Sequence, residues 1–302
     1  MSPAEPAREP LLELVRRQVE LGPRFPGSES HRLLVRELAE RLATHAGEVH
    51  TQSFRVDLPS GAVECSNLTG VFRGRRPASA GPAAPTLLLG THFDTRLVAD
   101  REPDPALRER PIPGANDGGS GTAVLLSLLP ELARLSADGE LAREVRVVFF
   151  DAEDVGGIGG LPFSLGAWKY ARESPLPPPG EVLVLDMVGG SGLELDVDGH
   201  ALGHAPSLEL TRRVFASGRQ ADGGVFRGAK LKHVISDHYP FLRKGLASCL
   251  LIDLDYPEWH TQADLPSAMS ERSLATIAAA VSRFLREPWR SSPRGSGGRA
   301  GP

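Results

Sequence analysis

The stretch VRVVFFDAEDVGG, residues 145–157, decides the fold and locates the functional region. Five of its first six residues are apolar, which predicts a buried strand. Three acids, Asp151, Glu153 and Asp154, follow where this strand ends. Clustered carboxylates that lose hydration repel one another, so a positive charge has to compensate them. No Lys or Arg follows within the stretch, and that charge must come from elsewhere.

Strand and helix signals alternate on both sides of this stretch. Apolar or alternating runs predict strands at 48–56, 64–72, 86–90, 181–188 and 248–254. Helical periodicity marks segments within 11–19, 34–42, 124–135 and 274–285. Ser270 is the predicted N-cap of the last helix. The alternation predicts an α/β fold in which a mostly parallel central sheet is sandwiched between helices.

Composition limits the class of protein. A chain of 302 residues can bury a large core, and we predict one domain over residues 1–287 followed by a disordered tail over 288–302. The net charge of −4 argues against a nucleic-acid or anionic-membrane surface. No apolar run approaches the roughly 20 residues of a membrane span. Cys65 and Cys249 are predicted to be free, buried thiols.

The first residues, MSPAEPAREP, lack the basic and then apolar pattern of an export signal. Taken literally, this start predicts a cytoplasmic protein. A start codon assigned at the wrong place would leave export open.

Polar residues follow the predicted strands at the point where each one ends. His92 and Asp94 follow TLLLG, Asp186 ends EVLVLD, and His260 follows the strand at 248–254. Asp117 lies in a Gly-rich loop that opens a helix. Each residue alone has an ordinary explanation, as a helix cap, a structural histidine or a satisfied buried acid. Because ligands bind at the carboxyl ends of strands in an open α/β sheet, their joint occurrence predicts a metal site there.

A divalent cation would supply the missing charge. Zn²⁺ takes nitrogen and oxygen ligands, and three protein ligands with one open position make a catalytic site. One acid of the pair Glu153 and Asp154 can then bind the ion while its neighbour stays free to carry protons. A second acidic segment holds Asp196, Asp198 and His200, but there Asp198-Gly199 predicts a hairpin turn rather than a site.

Six motifs occur in the order typical of the zinc-aminopeptidase-like superfamily: GTHFDT, GANDGGSG, FFDAED, VLDMVGG, SDHYPFLRKG and YPEWHT. Within it the chain most resembles the zinc-dependent glutaminyl-peptide cyclotransferases of bacterial type. Three features carry that narrower resemblance: Trp259 directly before His260, the long segment 97–113, and Asp rather than Glu at position 154. One departure is the Gly-rich loop 155–163, where vertebrate cyclases carry a pocket aromatic residue.

The resemblance implies a role for each matching residue. Zinc would be bound by Asp117, Asp154 and His260, with Glu153 as general acid and base. The acids Asp186 and Asp237 would form a network beside Glu153, and Trp259 would contact the substrate. Two-zinc peptidases of the superfamily would add His92 and Asp186 as ligands of a second ion, with Asp117 bridging.

The resemblance implies one reaction and leaves two alternatives. A cyclase would convert the N-terminal glutamine of a peptide to pyroglutamate and release ammonia, with one zinc ion favoured and two allowed. A di-zinc aminopeptidase would instead hydrolyse N-terminal residues from peptides. A binding module without catalysis is the third alternative, and the presence of Glu153 argues against it.

Overall fold

The computed structural model describes residues 9–75 and 86–287. The tail predicted at 288–302 lies outside these residues, so the division into one domain and a tail stays a prediction. The helices are α1 (Leu11–Glu20), α2 (Glu29–His45), α3 (Gly119–Ala137), α4 (Leu165–Glu173), α5 (Ala205–Asp222), α6 (Tyr239–Leu242) and α7 (Glu271–Leu285). The strands are β1 (Glu48–Leu58), β2 (Gly61–Phe72), β3 (Thr86–His92), β4 (Glu144–Phe150), β5 (Glu181–Asp186), β6 (Val197–Asp198), β7 (Leu231–Lys232) and β8 (Ala247–Ile252).

The main sheet has six strands in the order β1-β2-β4-β3-β5-β8. The pairs β4–β3, β3–β5 and β5–β8 are parallel, whereas the hairpin β1–β2 and the pair β2–β4 are antiparallel. The predicted α/β fold with a mostly parallel sheet is confirmed. Since parallel strands point the same way, β3, β4, β5 and β8 all end at one edge of the sheet.

Helices cover both faces of this sheet. Leu87 and Leu89 of β3 pack in the core with α1, α2, α3, α5 and α7, whereas Leu88 packs on the other face with residues of α4 and α6. This alternation follows from the two-residue period of a strand. Strands covered on both faces need apolar side chains at nearly every position, which explains their continuous apolar runs. Ser270 caps α7 as predicted, because its Oγ accepts the N–H of Ser273 at 3.3 Å.

Two further sequence predictions have clear outcomes. Cys65 and Cys249 are free and buried, as predicted. The predicted hairpin at Asp198-Gly199 is wrong, since β6 pairs in parallel with β7. The Asp198 carboxylate instead accepts the N–H of His200 at 3.2 Å and caps a short 3₁₀ helix, Gly199–Gly203. In the described ranges, no helix is both long and apolar enough to cross a bilayer.

Candidate metal centre and active site

The carboxyl edge of the sheet brings the predicted site residues together. His92 is the last residue of β3 and Asp186 the last of β5. Glu153 and Asp154 follow β4, and His260 lies in the loop after β8. Asp117 joins them from the loop that leads into α3, which begins at Gly119.

Two carboxylate–imidazole groups meet at Asp117. In the first, Nε2 of His260 lies 3.3 Å from Oδ1 of Asp154 and 3.5 Å from Oδ2 of Asp117. In the second, Nε2 of His92 lies 3.3 Å from Oδ1 of both Asp117 and Asp186. The ligand atoms within each group all lie within 4.8 Å of one another. Each group is therefore small enough to surround one ion.

The first group fits a divalent cation on chemical grounds. Its three side chains are buried, and Oδ2 of Asp154 has no hydrogen-bond partner among the described residues. Burial raises the pKa of Asp117 to about 6, and the nearby Asp154 carboxylate adds to this shift. A divalent ion would bind Oδ2 of Asp154, which otherwise has no partner. Its positive charge would also compensate the negative charges of Asp117 and Asp154. One imidazole nitrogen and carboxylate oxygens are donors that Zn²⁺ prefers.

Glu153 is buried beside this group but is not part of it. Its Oε1 accepts the hydroxyl of Ser164 at 2.9 Å. Burial raises the pKa of Glu153 well above its usual range; the charge of His92 opposes this shift, and the carboxylates of Asp237 and Asp186 add to it. A carboxyl group in such surroundings can both accept and donate a proton near neutral pH.

Asp237 and Asp186 complete the acidic neighbourhood of Glu153. Asp237 is fully buried, and neither of its carboxylate oxygens has a hydrogen-bond partner in the described part of the chain. Burial therefore raises its pKa well above the usual range. Asp186 differs, since its Oδ2 accepts the hydroxyl of Ser236 at 2.9 Å.

The third acid of the opening stretch belongs to a different environment. Both oxygens of Asp151 lie 2.9 Å from Nε2 of His31, a buried residue of α2 that also stacks on Phe93. Asp154 has a cationic neighbour as well, because Nη1 of Arg96 lies 3.3 Å from its Oδ1. The expectation that a metal ion alone compensates these acids was thus incomplete. Neither partner is close in sequence, so no local pattern revealed it.

Two further acids hold the backbone of the loops that carry the candidate ligands. The two oxygens of Asp94 accept the N–H groups of Glu153 and Asp154, each at 3.1 Å. In the same way, Asp264 accepts the N–H of Asn116 at 2.8 Å and of Asp117 at 3.1 Å. The sequence analysis placed Asp94 at a strand end without assigning it a role, and no sequence pattern indicated a role for Asp264.

Backbone strain is concentrated around the site. Four non-glycine residues among those described have positive φ: Ala152, Ser164, Met187 and His260. Ala152 precedes Glu153, Met187 follows Asp186, Ser164 binds Glu153, and His260 is itself in the first ion group. Such conformations cost on the order of 1–3 kcal/mol each and persist where surrounding contacts enforce them.

Trp259 lies beside the first ion group. Its ring centroid is 4.5 Å from that of His260, and the guanidinium of Arg101 lies 4.0 Å from the indole centroid. The Gly-rich loop 155–163 ends in Phe163, whose ring lies 5.6 Å from the guanidinium carbon of Arg96. An aromatic ring is thus present next to Arg96, the residue that contacts Asp154.

Fold and site together define a class of α/β proteins with a carboxylate–imidazole metal centre at the carboxyl edge of a mostly parallel sheet. The sequence profile of peptidase family M28 matches residues 67–285, well over half of the chain. The chain therefore belongs to peptidase family M28.

Solved structures narrow the similarity. The chain is 25% identical to the Tannerella forsythia glutaminyl cyclase, with a TM-score of 0.80 over 92% of this chain and 97% of that one. The Porphyromonas gingivalis glutaminyl cyclase is 26% identical, with a TM-score of 0.80 and the same coverage of 92% and 97%. A Zn-dependent exopeptidase from Parabacteroides distasonis, 24% identical with a TM-score of 0.80 over 91% and 96% of the two chains, shares the fold. The resemblance to bacterial glutaminyl cyclases is confirmed.

Proposed function

We propose that the protein is a zinc-dependent glutaminyl-peptide cyclotransferase that converts N-terminal glutamine to pyroglutamate and releases ammonia. The observation that carries this proposal is Glu153, a buried carboxyl group with a raised pKa that adjoins an ion ligand without being one. The similarity to glutaminyl cyclases at 25–26% identity supports the same reaction. One zinc per chain, bound by Asp117, Asp154 and His260, is the favoured stoichiometry.

The reaction requires little beyond orientation and proton transfer. The α-amine of the substrate attacks its own side-chain carbonyl carbon, so both reacting groups belong to one residue and the site mainly holds a near-attack geometry. A bound zinc ion would polarise the carbonyl oxygen as a Lewis acid. Glu153 removes a proton from the attacking amine and returns it to the departing ammonia.

The neighbouring acids keep Glu153 able to reprotonate. The carboxyl groups of Asp186 and Asp237 disfavour a further negative charge beside them, which raises the pKa of Glu153 in addition to burial. Ser164 orients the carboxyl through its hydrogen bond to Oε1. Trp259, packed against His260, is the residue we assign to contact the substrate.

One observation favours a second candidate, a di-zinc aminopeptidase. His92, Asp117 and Asp186 also converge within 4.8 Å, and Asp117 is common to both groups. This arrangement would hold two ions bridged by one carboxylate, which suits the activation of water for hydrolysis. In that reaction Glu153 would act as the base towards water rather than towards an amine.

Incubation of the purified protein with a glutamine-initiated peptide tests the proposal. Mass spectrometry is expected to show loss of ammonia from the intact peptide. Loss of the whole first residue would identify the aminopeptidase instead, and neither product in the presence of bound zinc would contradict both. The same peptide with an acetylated N-terminus is the control, because its amine cannot attack. The zinc content of the purified protein then distinguishes one bound ion per chain from two.

The cytoplasmic location suggested by the first residues of the sequence stays a prediction.

A further inference from the structure

Asp154 and His260 of the first ion group are connected in two ways, by their direct contact and through Arg96 and Asp100. Nη1 of Arg96 lies 3.3 Å from Oδ1 of Asp154, and its Nη2 donates to Oδ2 of Asp100 at 2.6 Å. Oδ1 of Asp100 lies 2.8 Å from Nδ1 of His260. Because Nε2 of His260 is 3.3 Å from Oδ1 of Asp154, the four side chains form a closed ring.

Arg96 fixes both the backbone and the side chain of Asp154. Its Nη1 also donates to the carbonyl oxygens of Asp154 at 3.1 Å and Gly156 at 3.0 Å. The guanidinium is almost completely buried and carries its donors in a rigid plane, so these bonds restrict the turn after β4. Oδ1 of Asp154 is held in this way, while Oδ2 remains without a partner in the described ranges.

Asp100 fixes the orientation of His260. A carboxylate that accepts from Nδ1 leaves the lone pair on Nε2, the nitrogen that faces Asp117 and Asp154. It also makes the imidazole a stronger ligand. Asp100 itself is only partly buried, and hydrogen bonds from His260 and Arg96 outweigh the effect of burial and hold its pKa below the usual range.

Among residues 9–75 and 86–287, the second ion group has no comparable Arg–Asp pair. Nδ1 of His92 lies 3.2 Å from the backbone carbonyl oxygen of Asp94 and 3.6 Å from its carboxylate, which is already occupied by two backbone N–H groups. Asp186 is held by the neutral hydroxyl of Ser236. The two groups therefore share Asp117 but differ in how firmly their other ligands are oriented.

We propose that Arg96 and Asp100 are positioning residues that make the Asp117–Asp154–His260 group the tighter of the two ion sites. The pair carries opposite charges, so it orients two ligands without adding net charge beside the ion. Pre-oriented ligands lose less conformational freedom on binding, which increases affinity. The proposal rests on the metal dependence of the proposed function but not on the cyclase reaction.

The test compares Asp100→Asn with Asp104→Asn in the full-length protein. Both variants remove one carboxylate from the same segment. Asp104 caps a short 3₁₀ helix through the N–H of Ala106, and in the described part of the chain it makes no hydrogen bond or ion pair with an ion ligand. Zinc affinity is measured by competition with a chromophoric chelator. We expect Asp100→Asn to weaken the tighter zinc site about 10–100-fold and Asp104→Asn to leave it unchanged, as for other partners of ligand histidines.

Two further measurements separate positioning from folding. The visible spectrum of the Co²⁺-loaded protein should change in Asp100→Asn, because the ligand geometry changes. The far-ultraviolet circular dichroism of the metal-free variant should match that of the unaltered protein, because the fold is retained. Arg96→Lys keeps the charge but loses the planar guanidinium, so it should also weaken zinc binding at the tighter site. Asp100→Glu keeps the carboxylate, so it should bind zinc more tightly than Asp100→Asn. Arg96→Lys decides the question if Asp100→Asn does not fold.

Unchanged zinc affinity in both Asp100→Asn and Arg96→Lys would overturn the proposal. Equal weakening of both ion sites, or equal weakening in Asp104→Asn, would also overturn it. Failure of the proposed function is distinguishable, since it shows as absent turnover in the unaltered protein whatever the order of the zinc affinities.

Discussion

At the scale of single residues, the acids that follow β4 are separated by their surroundings rather than by their type. Asp151 is paired with His31 and lies outside both ion groups. Glu153 binds the hydroxyl of Ser164 and stays outside the ion groups, whereas Asp154 is within one. A structural acid, a proposed proton carrier and a proposed metal ligand thus lie within four consecutive residues.

We expect Glu153→Gln to lose turnover and keep zinc. Gln retains the size of the side chain and can accept from Ser164, but it cannot take up a proton from the substrate. Proton transfer by a positioned side chain typically contributes about 10²–10⁴-fold, so kcat should fall by that factor. Steady-state kinetics and zinc analysis on the same preparation check this. Loss of zinc instead would show that the roles of Glu153 and Asp154 are reversed.

His31→Gln is expected to destabilise the protein. The substitution removes a cation next to a fully buried carboxylate, and a hydrogen bond to a charged group contributes about 1.5–3 kcal/mol to stability. Urea unfolding measures the loss. His50→Gln is the matched control, since His50 lies only 2.7 Å from Glu48 but this pair is partly exposed. Exposed pairs contribute roughly 0–1 kcal/mol, so an equal loss in both variants would contradict the assignment.

The contribution of His31 should depend on pH in a defined direction. Burial alone would lower its pKa, but the charge and hydrogen bond of Asp151 raise it above the ordinary value of 6.5. A raised folded-state pKa contributes stability that is full below the unfolded value and is lost as the pH rises through the folded value. The difference in unfolding free energy between the unaltered protein and His31→Gln should therefore shrink as the pH rises above the ordinary value of 6.5. A difference that grows as the pH rises would contradict a stabilising, raised pKa of His31.

At the scale of elements, the loops that follow the strands, rather than the strands themselves, determine the exact positions of the site residues. The strands end where the ligands are needed, but the turns beyond them contain strained residues such as Ala152 and His260. Asp94 and Asp264 hold these loops, each by two consecutive backbone N–H groups. The strain at the site is thus sustained by hydrogen bonds from outside the ion groups.

Asp264→Asn should weaken zinc binding through the backbone alone. One of its two side-chain atoms would become an N–H₂ donor that faces the backbone N–H of Asn116 or Asp117. We expect about a 10–100-fold loss of zinc affinity, the usual effect of altering groups that orient ligands. Zinc competition titrations give the value.

Tyr256→Phe is the control for Asp264→Asn. It removes only the phenol hydrogen bond to Oδ1 of Asp264, 2.8 Å long, and leaves both backbone contacts in place. Its zinc affinity should therefore stay close to that of the unaltered protein. A loss as large as in Asp264→Asn would mean that Asp264 acts through the tyrosine rather than through the ligand loop.

At the scale of the whole molecule, the strand order decides where the site lies. The parallel strands β3, β4, β5 and β8 deliver residues to one edge although they are far apart in the chain. The ion groups therefore link segments from His92 to His260. An ion bound there would stabilise the native fold relative to the unfolded chain, in which these ligands are separated.

Zinc is expected to raise the thermal and chemical stability of the protein. At a free concentration of 100 times the dissociation constant, one bound ion adds about 2.7 kcal/mol to the free energy of unfolding. Urea unfolding at increasing zinc, with a chelator for the zero point, measures this linkage. His260→Ala should lose most of the dependence. If zinc stabilised that variant equally, the ion would be bound elsewhere.

The sequence by itself determined the fold class and the residues at the sheet edge. Buried strands leave an unmistakable run of apolar residues, and a polar residue at the end of such a run has to lie at the carboxyl edge. For this reason His92, Asp154, Asp186 and His260 could be predicted as candidate residues at this edge, and Asp117 was added from a Gly-rich loop that opens a helix. The structure places all five within the two ion groups.

Only the tertiary structure decided what surrounds those residues. Asp264 lies 147 positions from the backbone N–H of Asp117 to which it binds, and Arg96 lies 58 positions from Asp154. The conformation of a loop decides which groups its side chains can reach. An Asp or Arg in a loop therefore looks the same in sequence whether it faces solvent or binds the turn that carries a candidate metal ligand. The same reason explains why Asp198-Gly199 looked like a hairpin: its carboxylate is engaged by His238, 40 residues away, which no local pattern encodes.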